Sequence, residues 1–314
     1  MKKAIALLLA LALVGGAVFA QDAALEVAGY VSSGVKIVNS PAATTFQNYN
    51  YDWGAAGTSA YIDVSYTGEM AGADVTAYAD TTGSFSIDTA YGWISPMAGL
   101  KLIAGNWYGG AFDGVDDDSN DYFAKEGLFA TYGMSGFTAG AGFSAATAAS
   151  EDLDYVFGVA YALDGVVKAR VSAQTVAADL NKMSVSASLL MVPGLPLTAG
   201  YLSESMATTA NSWVDLTVGY KISDALSAKV VVYDYLDKEY LTIGPRVSYT
   251  VSDALSVYGQ VTIVTEDAAV ADSATIKPRV YAAYKADIGK FVAQVEYNTL
   301  AETTTAYLSY VWSF

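Results

Sequence analysis

The chain has 314 residues, 53% of them hydrophobic, with a mean hydropathy of +0.31 and a formal net charge of −16. An acidic balance of this size excludes nucleic-acid partners, whose phosphates need a basic footprint. With no Cys there are no disulfides or thiolate metal sites, and with no His the commonest general base and metal ligand are missing.

The first twenty residues read as a processing signal. Lys2 and Lys3 make a basic start, Ala4 to Val14 an apolar core, and Gly15-Gly16 a break before Val18-Phe19-Ala20. That core is too short to span a bilayer, so cleavage ahead of Gln21 is expected. No Cys follows the cut, which excludes a lipid anchor there. Residues 21–314 are then read as one domain, in which 14 basic residues stand against 32 acidic ones.

From Leu25 onward the chain alternates with period two, the mark of strands with two unlike faces. Leu25, Val27, Gly29, Val31, Val35 and Ile37 share one parity, and Glu26, Ser32 and Lys36 the other. The same alternation returns at Met183–Leu189, Val214–Tyr220, Leu255–Ile263 and Phe291–Tyr297. No stretch after the signal approaches the ~20 apolar residues of a membrane helix.

The connections alternate in kind. Short turns fall at Gly68–Gly72, Ser95–Leu100, Gly133–Gly136, Asp164–Gly165, Pro193–Pro196, Ser223–Ser227, Ser252–Ser256 and Asp287–Gly289. Longer or more polar connections lie at Asn39–Gly57, Gly109–Asp121, Ala145–Asp152, Val176–Asn181, Ser203–Asn211 and Glu266–Ser273. Short turns at one end and longer loops at the other are what a transmembrane barrel shows. The expectation is an all-β, antiparallel, up-and-down transmembrane barrel of about eighteen strands, with sixteen as the alternative because Ala124–Tyr132 is weakly patterned. A secreted β-sandwich or β-helix is the competing fold, but sandwiches seldom run to so many even strands.

Tyr66, Tyr132, Tyr161, Tyr220, Tyr249 and Tyr284 each stand just before a short turn. A phenol prefers the headgroup level, so these residues, with Trp312, are candidates for an interfacial girdle. The segment Tyr220-Lys-Ile-Ser-Asp-Ala-Leu-Ser recurs as Tyr249-Thr-Val-Ser-Asp-Ala-Leu-Ser, one hairpin later.

If the apolar parity faces lipid, the other parity names the lumen. This places Lys168, Arg170, Arg246, Lys277 and Arg279 inward as selectivity candidates, with Asp63, Asp74, Asp88 and Asp215 as carboxylates they would pair with or oppose. A cation facing lipid costs about 2–4 kcal/mol at the midplane, so inward is where a barrel needs its three Arg. Small inward positions are expected at Gly92, Gly140, Gly142, Gly158, Ala160 and Gly219. With eighteen strands the interior is too wide for side chains to fill and should hold water.

The densest charge run is Asp113, Asp116, Asp117, Asp118 and Asp121. Closely spaced carboxylates suit calcium, although the EF-hand pattern is missing. A loop folded inward as a constriction and a solvated external loop are the other readings. Apart from calcium, no cofactor is expected. Tyr30, Tyr78, Tyr258, Tyr281 and Tyr307 are the tyrosines read as inward, and a track for sugars would need them on one side.

The chain ends Ala306-Tyr-Leu-Ser-Tyr310-Val-Trp312-Ser-Phe314, apolar or aromatic at every second position. This resembles the last strand of bacterial outer-membrane barrels, porins in particular. The resemblance implies export, recognition of Tyr310, Trp312 and Phe314 by the barrel-assembly machinery, and insertion into outer-membrane lipid. It also raises a homotrimer, for which the Ala/Gly-rich stretch Gly136–Ala149 is the candidate contact. The functional expectation is a porin: a water-filled channel for ions and small polar solutes, and no enzyme. A surface adhesin, or a structural barrel without an open pore, is the alternative.

Overall fold

The computed structural model describes residues 24–50, 55–81, 85–106, 126–145, 153–176, 180–205, 210–236, 240–265 and 274–314. These form β1 (Ala24–Asn39), β2 (Thr44–Asn50), β3 (Ala55–Ala56), β4 (Ser59–Thr67), β5 (Ala71–Asp80), β6 (Phe85–Met97) and β7 (Leu100–Asn106). There follow β8 (Glu126–Met134), β9 (Phe137–Ala145), β10 (Leu153–Leu163), β11 (Val167–Val176), β12 (Leu180–Leu189), β13 (Leu197–Ser205) and β14 (Ala210–Lys221). The last are β15 (Leu226–Tyr235), β16 (Tyr240–Thr250), β17 (Leu255–Val264), β18 (Thr275–Ala286), β19 (Gly289–Asn298) and β20 (Thr303–Ser313).

β1 and β4 to β20 close into a barrel of 18 strands, each antiparallel to its two neighbours. β1 pairs with β4 through Ala24–Ser32 and with β20 through Tyr30–Asn39. At the seam Gly29 and Phe314 exchange both backbone hydrogen bonds, at 3.1 and 3.0 Å. Closure is what hydrocarbon demands, because an open edge would leave N–H and C=O groups with no partner, at several kcal/mol each. Gly29 is needed there: a Cβ would lie 2.8 Å from the Phe314 ring and 2.5 Å from the Tyr61 carbonyl oxygen. β2 extends the far end of β1, Val35–Asn39 pairing with Thr44–Asn48, and β3 pairs with β2.

All eight short turns expected from the sequence lie at one end, together with Ala24 and Phe314. At Ser135-Gly136 both central residues have positive φ (50° and 80°), the conformation that matches a two-residue hairpin to the twist of its strands. The recurring Ser-Asp-Ala-Leu is a turn motif. Ser223 Oγ accepts from the N–H of Ala225 and Leu226 (3.3 and 3.0 Å), and Ser252 Oγ does the same for Ala254 and Leu255 (3.3 and 3.1 Å). The side chain stands in for a backbone acceptor, so the same four residues bend two different hairpins alike. In the first of these turns the Lys221 ammonium, 2.7 Å from Asp224, holds that carboxyl below the usual carboxylate range.

Burial is inverted relative to a water-soluble fold. The outward parity carries exposed Val27, Ile94, Leu128, Phe157, Val280 (64%) and Leu308 (62%). The inward parity carries buried Ser32, Thr76, Ser172, Ser186, Asp215 (2%) and Gln294. Polar side chains line the inside because apolar surface on this scale is stable only against lipid. Two irregularities interrupt the ladders. Pro245, lacking an N–H, faces outward on β16, and the β16–β17 pairing skips it in an unchanged register, Ile243 pairing with Ile263 and Arg246 with Gln260. In β6 a bulge falls at Asp88: Thr76 pairs with Thr89, but Ala77 pairs with Ile87.

Candidate functional site

The lumen wall has an acidic sector on β4, β5 and β6. Asp63 and Asp74 face inward as their parity requires, and a hydroxyl ladder spaces them. The Thr76 hydroxyl donates to Asp63 Oδ1 at 3.1 Å, and Thr89 Oγ1 lies 3.0 Å from Asp74 Oδ1 and 2.8 Å from Thr76 Oγ1. Asp88 is the bulged residue of β6, between the paired Ile87 and Thr89. The bulge corrects one expectation. Beyond it the parity of β6 is shifted, so Gly92, paired with Ala73 and Ala104, faces outward while Tyr91 and Trp93 face in. Gly140, Gly142, Gly158, Ala160 and Gly219 lie on the inward parity.

A basic arc occupies β11, β15, β16 and β18. Lys168 and Arg170 project inward from β11, Arg246 from β16, and Lys277 and Arg279 from β18. Lys229 on β15, opposite Arg246 in register, completes the arc. It was not among the cations expected from the sequence, although the Val230/Val232 alternation carries the signal. Counted round the barrel, β4–β6 are the second to fourth strands, β11 the ninth and β15–β18 the thirteenth to sixteenth. The two signs therefore face each other across the lumen.

The arginines are held in different ways. Arg279 donates through Nε to Glu296 Oε2 at 2.8 Å and through Nη2 to the same oxygen, so its partner is Glu296 on the adjacent β19. The guanidinium of Arg246 lies 4.9 Å from the Tyr258 ring centroid. Tyr258 in turn stacks on Tyr281 (4.5 Å between centroids, 15° between planes). On β14, Asp215 leans its carboxylate over Gly200 of β13, where a Cβ would be 2.7 Å from both oxygens. Arg170, Ser186, Gly200 and Asp215 make one register row across β11 to β14.

More aromatic side chains face inward than the five expected. Tyr61, Tyr91, Trp93, Trp213, Tyr233 and Tyr235 join Tyr30, Tyr78, Tyr258, Tyr281 and Tyr307. Tyr30, Tyr61 and Tyr78 form a row, with Tyr30 stacked on Tyr61 at 5.2 Å. Several of these rings use their faces on one another or under cations: Tyr258 stacks on Tyr281, and Lys36 lies 5.4 and 5.7 Å from the centroids of Tyr49 and Tyr307. A flat sugar would need those faces open. Two further rings rest on glycines of the next strand. A Cβ on Gly142 would lie 2.1 Å from Phe129 Cδ1, and one on Gly72 would lie 2.5 Å from Trp93 Nε1. Ile103, Phe129 and Val156 are buried together on the inner wall, with Tyr91, Trp93 and Trp213 packed against them.

On the outside, Tyr132, Tyr161, Tyr220, Tyr249, Tyr284, Trp312 and Phe314 are exposed at the short-turn end, and Tyr66 and Tyr310 are half-buried there. An apolar hollow of about 950 Å³ lies on the outer face of β5–β10, floored by Ala73, Gly92, Ala104, Ala130 and Ala141 and rimmed by larger side chains. Among the described residues, no group of His, Cys, Asp or Glu is placed to hold a metal ion. The signal segment and Asp113, Asp116, Asp117, Asp118 and Asp121 lie outside the described residues.

A closed eighteen-strand barrel, apolar without and charged within, defines a porin-like transmembrane β-barrel. The sequence matches no family model and no curated protein. In three dimensions the chain is similar to solved variants of the Rhodopseudomonas blastica porin. One triple mutant superposes with a TM-score of 0.63 at 15% identity over 93% of this chain and 100% of that one. A second has a TM-score of 0.63 at 16% identity with the same coverage. Both likenesses are of fold.

Proposed function

We propose that this protein is an outer-membrane porin: a water-filled channel through which ions and small polar solutes diffuse, without catalysis. The observation that carries the reading is the inversion of burial combined with opposed charge. An eighteen-strand wall leaves an interior too wide to be filled by its own side chains, and this wall presents carboxylates on β4–β6 to cations on β11 and β15–β18. A transverse field of this kind orients a polar solute and sorts it by charge without binding it tightly. The absence of His from the sequence supports the non-enzymatic reading, since barrel hydrolases need a general base.

The same reading includes cleavage before Gln21, delivery by the assembly machinery through Tyr310, Trp312 and Phe314, and residence in outer-membrane lipid. It extends to assembly as a trimer, with the hollow on β5–β10 as the face a second copy covers. Chemical cross-linking in detergent tests that part, and a ladder ending at one subunit removes it.

The test of the channel is single-channel conductance of refolded Gln21–Phe314 in a planar bilayer under a salt gradient. Large ohmic steps support the pore, and the sign of the reversal potential reports whether the basic arc or the acidic sector dominates. Silence from a heat-modifiable, folded barrel overturns the pore and leaves the surface-binding reading.

A further inference from the structure

We propose that Trp213 closes an apolar crossing inside the lumen, and that this crossing, rather than the charged walls alone, limits which solutes pass. The inference rests on the reading of the barrel as an open pore. Ile103, Phe129 and Val156 come from β7, β8 and β10, whereas Trp213 comes from β14. Round the wall, β14 lies four strands on from β10 and six from β8. A side chain of β14 that packs on this cluster therefore reaches across the interior rather than along a neighbouring strand.

The wall between is built to let it. In the register row that runs from Trp213 through Leu202 back to β10, Ser184, Ser172 and Gly158 keep the inner face of β12, β11 and β10 low. The far side is held in position. Phe129 lies over Gly142, Trp93 over Gly72, and the Lys101 ammonium sits 4.2 Å from the Trp93 ring centroid. Tyr235 flanks Trp213 on its own side at 5.9 Å. Ile103, Phe129 and Val156 are each no more than 4% exposed.

An apolar contact across a water-filled pore has two consequences. It removes cross-section, and it gives water and hydrated ions a stretch of wall with nothing to hydrogen-bond, which raises their barrier. A solute with an apolar flank loses less there than one hydrated on all sides. The chemical class favoured is thus a small polar molecule carrying an aromatic or aliphatic face.

The experiment is single-channel conductance of wild type, Trp213→Ala and Trp213→Phe, each refolded and checked for heat modifiability. Liposome swelling with a hexose and with its phenyl glycoside runs in parallel. Removing the crossing is expected to raise conductance roughly twofold for Trp213→Ala, less for Trp213→Phe, and to speed the hexose more than the phenyl glycoside. Should Trp213→Ala not refold, Trp213→Leu keeps apolar bulk but shortens the reach, and it too must raise conductance. A conducting wild type with unchanged conductance in the refolded variants overturns the crossing and leaves the pore standing. A silent, folded wild type overturns the pore itself.

Discussion

The two charged walls of the lumen are built on different principles. On β4–β6 the carboxylates are spaced by neutral hydroxyls: Thr76 serves Asp63 and Thr89 serves Asp74. On β15–β19 charge is met by charge or by an aromatic face: Arg279 by Glu296, Arg246 by Tyr258. A hydroxyl donor brings no opposite charge to a carboxylate, unlike the guanidinium that Glu296 meets. The Glu296 partner cancels much of the charge of Arg279, which therefore adds less to the basic wall than its formal charge suggests. A ring under Arg246 cancels none. The pairings, and not the number of cations alone, set the strength of the arc.

Five variants break or sharpen that contrast. The largest effect is expected from Arg170→Glu with Arg246→Glu. A unit charge at about 4 Å in water is worth about 1 kcal/mol, roughly fivefold in preference, and reversal doubles the change. The permeability ratio should move toward cations by at least that factor; an unmoved reversal potential would show that these residues stand off the solute path. The same reversal at Arg279 alone should move it less, because Glu296 already offsets that charge.

Asp63→Asn with Asp74→Asn comes next. It should shift the ratio toward anions by a few-fold while the unfolding free energy from urea titration stays within about 0.5 kcal/mol of wild type, since the amide oxygens still accept from Thr76 and Thr89. A large stability loss would mean that the ladder serves folding rather than selectivity. Glu296→Gln strips Arg279 of its charged partner on a partly buried wall and should cost about 1–3 kcal/mol in equilibrium refolding. It should also make the pore slightly more anion-preferring. Tyr258→Leu gives the smallest change. Losing the ring under Arg246 should cost about 0.5–1 kcal/mol, with selectivity preserved.

How far the site was legible differs strand by strand. β1 alternates from Leu25 to Ile37 without a break, and its faces follow directly. The eight short turns carry Gly, Pro or Ser-Asp at the positions that bend the chain, so about eighteen strands could be counted before any pairing was known, with sixteen left open by the weak pattern of Ala124–Tyr132. The inward parity of Arg170, Arg246 and Arg279 was equally plain, because the alternative was arginine in lipid. β6 shows where parity stops helping. A single bulge at Asp88 moved Gly92 to the outer face and turned Tyr91 and Trp93 inward, and nothing in Asp-Thr-Ala-Tyr-Gly-Trp announces it. The Arg279–Glu296 pair was hidden for another reason: partners on adjacent strands depend on register, which hairpin length sets and parity alone does not.

The local chemistry of the chain by itself determined that this protein alternates faces, turns tightly at one end, and must close on itself in a bilayer. Those properties depend on residues within a few positions of one another and on the solvent each face meets. Only the tertiary structure decided that the acidic strands face the basic arc, that Phe129 rests on Gly142, and that Trp213 reaches Ile103, Phe129 and Val156. The Phe129–Gly142 contact needs the register of one hairpin. The other two join strands far apart in the chain, brought together by closure of the sheet and the curvature of its wall, which no local pattern encodes.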